Sequence, residues 1–259
     1  MARRLFVLLA LLTASTFRLA TAASAQVNTE RLRQSLGEDG VTVSLDASAA
    51  FATGNTEYLQ VGLGGRADAR LGRDLAFVVG RLDLARTDGE SFLDRSFVHA
   101  RYTAALGGPL AAEAFAQVER NRQQRLDARS LLGAGLRVSL VNADSAALAV
   151  GVTPMLEVER LDDDLGGGQD AVVRLSSYLS GRVALDGRTA LSAVVYGQPR
   201  ADAPGDLRVL GQAAVDVGLT RAVALRVRVN IRHDSRPPAG VEPTDFSVEN
   251  GLVVVFPTD

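Results

Sequence analysis

Apolar and polar residues alternate one by one along residues 41–71 of the chain, VTVSLDASAAFATGNTEYLQVGLGGRADARL. In the first half of this stretch one face carries only apolar side chains, those of Val43, Leu45, Ala47, Ala49 and Phe51. A period of two fits a β-strand and excludes an α-helix. Gly54 and Asn55 then lead into a second alternating segment, as in a turn between antiparallel strands. The stretch therefore predicts a β-hairpin.

The same alternation recurs to the end of the chain in about twelve segments, and no stretch after it keeps a helical period for long. We expect strands at approximately residues 41–53, 58–72, 75–86, 95–106, 110–120, 130–141, 146–160, 172–185, 191–200, 207–219, 222–234 and 246–256. Pro154 lies inside one segment and predicts a bulge or a break, because proline cannot donate a ladder hydrogen bond. The predicted fold class is all-β, an antiparallel up-and-down β-barrel of about 12 strands, with about 10 as the alternative.

The connections between these segments alternate in kind. Every second one is a minimal turn, at residues 72–74, 107–109, 142–144, 186–188 and 220–221. The others are longer and polar, at residues 87–94, 121–129, 161–171, 201–206 and 235–245. Short turns at one end and longer loops at the other are typical of transmembrane barrels of the outer membrane, whereas a soluble sandwich has no reason to segregate them.

The second face of the predicted strands is charged. By strand parity we place in the lumen Asp46, Arg66, Asp68, Arg70, Arg81, Asp83, Arg101, Glu113, Glu119, Arg137, Glu157, Glu159, Arg174, Arg182, Arg200, Arg208, Asp216, Arg226, Arg228, Arg232 and Glu249. A soluble barrel of the lipocalin type would turn the same two faces the other way, and parity alone does not separate the two arrangements. Segments of about a dozen residues favour a tilted bilayer crossing. The outward aromatic residues would then form sparse interfacial girdles, at Phe51, Tyr102, Phe246 and Phe256.

The N-terminus has the pattern of a secretory signal peptide over residues 1–25. Arg3 and Arg4 precede an apolar run that is too short to span a bilayer, and Ala23-x-Ala25 fits a cleavage site. We expect residues 26–40 to form a short periplasmic segment with some helical spacing and residues 41–259 to form the barrel. The expected location is the bacterial outer membrane, with outer-membrane lipid and the barrel-insertion machinery as partners.

Composition excludes several classes of function. The net charge is −2, and no basic cluster with interleaved aromatic residues occurs, so a nucleic-acid partner is not expected. The chain has no cysteine, which excludes disulfides and a thiol nucleophile. We expect no cofactor, no metal and no catalytic residues.

Four motifs carry residue types that also occur in catalytic or ligand-binding sites. His233-Asp234-Ser235 cannot form a triad by itself, because adjacent strand residues point to opposite faces. The run Asp162-Asp163-Asp164, followed by three glycines, matches no EF-hand and is expected to be a solvated loop. Gly133-x-Gly135 precedes no helix, so it would give room to large lumen side chains rather than hold a nucleotide. His99 is expected to project inward beside Arg101 and to hydrogen-bond across the lumen.

Two states of the lumen follow from these charges. A barrel of this strand number lies between the filled eight-stranded type and the water-filled porins. Arginine and acidic side chains could pair across the lumen and close it, because unpaired charge beside low-dielectric walls is costly. If a pore persists instead, a lumen excess of about three positive charges predicts weak anion preference.

The chain resembles the YdiY-like family of salt-induced outer-membrane proteins, a family of unknown function. The resemblance spans nearly the whole barrel and depends on residues 53–57 (TGNTE), 86–90 (RTDGE), 114–117 (AFAQ), 126–137 (LDARSLLGAGLR), 173–178 (VRLSSY), 198–200 (QPR) and 234–238 (DSRPP). It implies an outer-membrane β-barrel without an established substrate. The favoured function is a non-enzymatic barrel, either an envelope protein of osmotic stress or a narrow small-solute channel. The alternatives are an outer-membrane barrel hydrolase and a soluble periplasmic binding barrel.

Overall fold

The computed structural model describes residues 40–52, 58–87, 90–162, 169–220 and 222–257. These residues form strands of 11 to 18 residues. The strands are β1 (Gly40–Ala52), β2 (Tyr58–Leu71), β3 (Asp74–Thr87), β4 (Glu90–Gly107), β5 (Leu110–Asn121), β6 (Leu126–Asn142), β7 (Ala146–Leu161), β8 (Gln169–Ala184), β9 (Thr189–Pro199), β10 (Leu207–Gly218), β11 (Val223–Asp234) and β12 (Thr244–Pro257). A 3-10 helix, Arg122–Gln124, lies between β5 and β6. Within the described ranges, no helix is long and apolar enough to cross a membrane.

Every strand pairs antiparallel with its neighbours in sequence, and β1 pairs with β12, so the sheet is a closed barrel. The predicted all-β, up-and-down barrel is confirmed, with 12 strands rather than 10. The tight connections, such as the turn between β2 and β3, lie at one end, which we call the turn end. The 3-10 helix and the connection between β11 and β12 lie at the other, which we call the loop end.

The two faces of the wall differ in exposure and in chemistry. Along β5 buried and exposed residues alternate, and the buried set includes Glu113, Gln117 and Glu119. The exposed set is apolar, as at Val118 and at Leu132 on β6, which are 58% and 63% exposed. An apolar exterior around a polar interior is the arrangement of a transmembrane barrel, because lipid solvates the outer face. The soluble-barrel orientation is therefore wrong for this chain.

Two predicted loops are largely strand. β4 begins at Glu90 and β6 at Leu126, so the predicted loops at residues 87–94 and 121–129 shrink to a tight hairpin and to the 3-10 helix with its flanks. Thr87 pairs with Glu90 across that hairpin. Backbone ladder hydrogen bonds do not depend on side-chain polarity, so a polar sequence can continue a strand beyond the apolar band.

Pro154 interrupts pairing on one side of β7 only. The β6–β7 pairing passes from Gly133↔Met155 to Leu136↔Val152 without a change of register, and the residue pairs between them are absent. On the other side, Pro154 pairs with Leu175 in a continuous ladder. The predicted break is thus confirmed, without a bulge, because the missing proline N–H affects a single neighbouring strand.

Several predicted features lie outside the described residues. They are the signal peptide, the N-terminal segment up to residue 39, the turn and family motif at residues 53–57, most of the acidic and glycine run at residues 162–168, and the side chains of Phe51 and Phe256. The other two girdle residues point outward, Tyr102 near the turn end and Phe246 near the loop end. The Tyr102 hydroxyl donates a hydrogen bond to Asp74.

Candidate functional site

The candidate site is the barrel lumen, where the structure places the predicted charges in four groups. At the loop end lie Glu119, Glu157, Glu159, Arg174, Arg208 and Arg232. In the middle lie Arg101, Glu113 and Arg137. Along β12, β1, β3 and β11 lie Asp46, Arg81, Asp83, Arg228 and Glu249. Nearest the turn end lie Arg66, Asp68, Arg70, Arg182, Asp216 and Arg226.

Glu157 and Arg208 are the centre of the loop-end group. Arg208 on β10 donates to Glu157 (2.6 Å) and Glu159 (3.0 Å) on β7, and also to Asp234 on β11 (2.8 Å). Glu157 in turn accepts a hydrogen bond from Arg174 on β8 at 3.1 Å. β7 and β10 are three strands apart in the ring, so the pairs of Arg208 with Glu157 and Glu159 cross the lumen, whereas its pair with Asp234 and the pair of Arg174 with Glu157 follow the wall.

Further contacts in the loop-end group join directly opposite walls. Arg232 on β11 lies 3.6 Å from Glu119 on β5, and these two strands are six apart in a ring of twelve. Gln124 of the 3-10 helix accepts a hydrogen bond from Arg232 and donates one to Asp245 of β12 at 3.0 Å. Through Gln124, the helix that follows β5 is therefore hydrogen-bonded to β11 and β12 on the opposite wall.

The middle group is built on the phenol of Tyr178. Its hydroxyl donates to Glu113 (2.6 Å) on β5, three strands from Tyr178 on β8, and accepts from Arg137 (3.0 Å) on β6. The guanidinium of Arg101 lies 3.6 Å from Glu113 and 5.6 Å from the centre of the Tyr178 ring. Tyr196 packs beside Tyr178 with ring centres 5.2 Å apart. These bulky side chains fill the lumen at this level.

His99 packs along the wall instead of reaching across the lumen. Its ring stacks between Phe77 and Phe115, each with a centroid distance of 5.5 Å. Its Nδ1 lies 3.1 Å from the side-chain oxygen of Gln117 on the neighbouring strand β5. The predicted hydrogen bond across the lumen is therefore wrong for the described residues. The imidazole is held against the wall between the rings of the two phenylalanines.

Glycines give these aromatic side chains room, as the sequence predicts for Gly133. A Cβ atom at Gly133 would lie 2.7 Å from the Phe115 ring, and one at Gly151 would lie 2.2 Å from the Tyr178 ring. Both distances are far below van der Waals contact. The inward aromatic residues are thus accommodated only because the facing positions on the neighbouring strands lack side chains.

The third group follows the wall beside the closure of the barrel. Arg81 on β3 donates to Asp83 and to Asp46 on β1, both at 2.9 Å, and lies 3.8 Å from Glu249 on β12. Arg95 on β4 also donates to Asp83. The Arg81 side chain therefore connects the first and last strands of the chain from the lumen side. Arg228 lies 3.3 Å from Glu249 and completes the group.

The turn-end group consists of shorter-range pairs. Arg66 donates to Asp68 on its own strand (2.6 Å), and Arg226 donates to Asp216 on the neighbouring strand (2.8 Å). Arg70 donates to the carbonyl of Gly72 at 3.2 Å. Arg182 is half-buried on β8. These contacts follow the wall, so they do not close the lumen as the loop-end pairs do.

The voids within the loop-end group are small. One lies between Glu119, Arg129, Glu157, Arg208 and Arg232 and has a volume of about 20 Å³. A second lies under the β11–β12 connection beside Gln124 and is also about 20 Å³. Each is about the space of a single water molecule. In the described part of the barrel, the loop-end network therefore leaves no wide passage between these side chains.

The predicted lumen set needs one correction and several additions. Arg200 lies beyond the end of β9 and donates to Asp202 at 2.6 Å in the β9–β10 connection. This hydrogen bond lowers the pKa of the exposed Asp202 carboxyl below its usual value. Buried residues that the sequence set omitted include Phe77, Arg95, Phe97, Phe115, Gln124, Arg129, Tyr178, Tyr196, Asp206 and Asp234. Strand parity carried the signal for the aromatic residues, since Phe115 shares the face of Glu113.

The residues that suggested a hydrolase lie at the end of β11 and just beyond it, where each is held by structural contacts. Ser235 donates to the carbonyl of Gly205 (3.0 Å) and accepts from the Leu207 amide (2.8 Å). His233 lies 2.9 Å from Thr244 through Nδ1. Asp234 accepts from Arg208 instead of from His233. In the ranges the structure describes, no cluster of three histidine or acidic residues could hold a metal ion.

Comparison with known proteins assigns the family. Residues 45–256 match the model of the family described as "Protein of unknown function, DUF481", and the chain belongs to that family. No curated protein matches the chain.

Among solved structures, the chain is similar to the NanC porin, with 6% identity, a TM-score of 0.49, and coverage of 83% of this chain and 98% of that one. It is also similar to the KdgM porin in complex with disordered oligogalacturonate, with 9% identity, a TM-score of 0.44, and coverage of 83% and 99%. A third is the β domain of the Bordetella autotransporter BrkA, with 13% identity, a TM-score of 0.36, and coverage of 84% and 98%. All three TM-scores are below 0.5, so the strand pairing of the chain itself establishes the fold.

Proposed function

From a family without an assigned function, we propose that this chain is a non-enzymatic barrel of the bacterial outer membrane whose lumen is closed at rest. The observation that carries the proposal is the contact of Arg232 and Arg208 with acidic residues on distant strands at the loop end. Such a barrel would serve the envelope as a structural component under osmotic or salt stress. Its partners would be outer-membrane lipid and the barrel-insertion machinery.

The chemistry of the closure supports a structural role. Arg208 is about 8% exposed and contacts three carboxylates, so it is an ion-pair centre rather than a solvated selectivity residue. Removing one partner of a buried charge network leaves uncompensated charges, which is costly. An open pore would require these pairs to separate and would leave their charges uncompensated, which favours the closed state.

Membrane placement is tested by fractionation and by heat modifiability. A folded transmembrane barrel should sediment with the outer membrane and, unboiled, should migrate faster on an SDS gel than the boiled sample. Protein in the soluble fraction whose migration does not change on boiling would contradict the proposal and would favour a soluble binding barrel.

A narrow small-solute channel is the second candidate. The one observation in its favour is a void of about 20 Å³ between Glu119, Arg129 and Arg232, which has room for a water molecule between the charged side chains. The surplus of arginine in the lumen would then give weak anion preference. Reversal potentials under a salt gradient test this candidate, and cation selectivity of any residual conductance would contradict it.

A further inference from the structure

The closure between β1 and β12 is the shortest pairing in the barrel. It comprises four residue pairs, from Thr42↔Pro257 to Leu45↔Val254, near the turn end. Other neighbouring strands pair over eight residues or more. On the loop-end side of Leu45, β1 continues to Ala52 with β2 as its described partner. On the same side, the described partner of β12 is β11. We call this junction the seam.

A large apolar cavity opens on the outer face beside the seam. Its volume is about 820 Å³, which lies within the range of about 300–1,000 Å³ that small-molecule sites occupy. Its lining includes outward side chains on both sides of the seam, those of Leu45, Leu63, Leu82, Val98, Leu252 and Val254. We call this cavity the seam groove.

Two outward-facing glycines form part of the wall of the groove. Gly65 on β2 and Gly80 on β3 are cross-strand partners, and Gly80 also pairs with Val98 on β4. The neighbouring outward positions carry Leu and Val side chains, whereas at these two glycines only backbone faces outward. The glycine pair therefore makes a depression in the lipid-facing surface, flanked by branched apolar side chains.

The occupant follows from the surroundings of the groove. It is continuous with the apolar outer face, so the molecules that reach it are those of the bilayer. Its outward side chains are mostly aliphatic, which suits a hydrocarbon chain. The two charged residues of its lining, Asp46 and Arg81, belong to the lumen face and pair with each other there. The glycine depression itself offers no free strand edge, because β2, β3 and β4 are paired on both sides.

We propose that the seam groove binds one acyl chain of a membrane lipid, which is held more tightly than the lipid around the rest of the barrel. The proposal rests on membrane placement of the barrel. Filling the depression should displace the chain. Gly80→Leu adds a side chain whose Cβ would lie 3.8 and 3.9 Å from the nearest atoms, on Phe97 and Val98. Gly197→Leu is the matched control, an outward glycine on the opposite side with nothing within 4 Å of an added Cβ.

The chain contains no tryptophan, so a single introduced tryptophan can report on each surface. Leu63→Trp reports on the groove and Val195→Trp on the opposite wall, where the native side chains are about equally exposed, at 50% and 52%. Each variant is reconstituted in phosphatidylcholine vesicles, and its fluorescence is measured against the mole fraction of phosphatidylcholine with brominated acyl chains. We expect half-maximal quenching of L63W at a mole fraction about fivefold lower than for V195W, a difference of about 1 kcal/mol.

The double variants distinguish the groove from the general surface. In the G80L background, half-maximal quenching of L63W should need the same mole fraction of brominated lipid as V195W does. In the G197L background, the mole fraction that L63W needs should not change. Native mass spectrometry of the tryptophan-free protein gives an independent readout, with a retained lipid expected for the native chain and for G197L but lost in G80L.

Three results would contradict the proposal, each in a different part. Equal quenching curves for L63W and V195W, with no lipid retained, would overturn the groove and leave the membrane barrel intact. An unchanged preference of L63W in the G80L background would overturn the assignment of the site. Failure of brominated lipid to quench either reporter would overturn membrane placement and this inference with it.

Discussion

Replacement of Arg208 by methionine should strongly destabilise the barrel. The guanidinium contacts Glu157, Glu159 and Asp234 at 2.6, 3.0 and 2.8 Å and is about 8% exposed. Methionine keeps much of the apolar stem but leaves three carboxylates without their shared cation. Removing one partner of a buried ion pair costs about 3–5 kcal/mol. The free energy of unfolding should fall by that amount.

Guanidinium unfolding of the protein in lipid vesicles, followed by tyrosine fluorescence and by circular dichroism, measures this loss. With a denaturant slope of about 2–6 kcal/mol per molar, the midpoint should fall by about 1 M. A loss below about 1 kcal/mol would refute the reasoning, because the loop-end network would then resemble a set of solvated surface pairs.

Arg200→Met is the matched control for R208M. Arg200 lies in the connection that leads into β10, and its partners are the exposed residues Asp202 and Asp170. Exposed ion pairs contribute little to stability because water screens them, so the midpoint should barely move. R200M should instead return the pKa of Asp202 to its usual range, which carbonyl NMR titration of that side chain can follow.

The sign of the Asp202 effect follows from its lowered pKa. The stabilisation of the loop by Arg200 is present above the pKa that this carboxyl has in the unfolded chain, and it is lost as pH falls through the lower folded value. The native chain should therefore lose loop order only in strong acid, and R200M should show no such step.

Two further predictions concern the wall. Cysteines at the paired positions Leu45 and Val254 should form a disulfide readily. Cysteines at Ala47 and Leu252 should form one poorly, because the described pairing of β1 with β12 ends at Leu45 and Val254. Equal disulfide yields on a non-reducing gel would mean that the two strands are paired beyond this point. Gly151→Ala should lower stability by about 1–3 kcal/mol, because the new methyl group meets the Tyr178 ring, and an unchanged denaturation midpoint would show that the ring can move.

The period of two was enough to predict the strands and which residues share a face, whereas the choice of the apolar face as the outer one depended on segment length. Leu45, Leu63 and Leu132 are outward and exposed, as that choice predicts. Strand number followed from counting segments. The starts of β4 and β6 could not be predicted in this way, since the polar residues there favour a loop and only the backbone pairing extends the strand.

The pairing of the lumen charges could not be predicted from sequence. Arg232 meets Glu119 from the opposite wall, and this contact depends on the stagger of the strands and on the width of the closed barrel. Local parity places both side chains on the inner face and nothing more. The inward position of Phe115 and Tyr178 follows from strand parity, since each shares the face of a lumen charge on its own strand, Glu113 and Arg174.

Conductance of the purified native protein in planar bilayers tests the closed lumen most directly. The ion pairs across the loop end and the side chains around Tyr178 predict that the inserted native barrel passes no steady current. R200M, whose ion pairs lie in an exposed connection, should remain silent as well. A stable, ohmic current through the native barrel, comparable to that of a water-filled porin, would contradict the closed lumen.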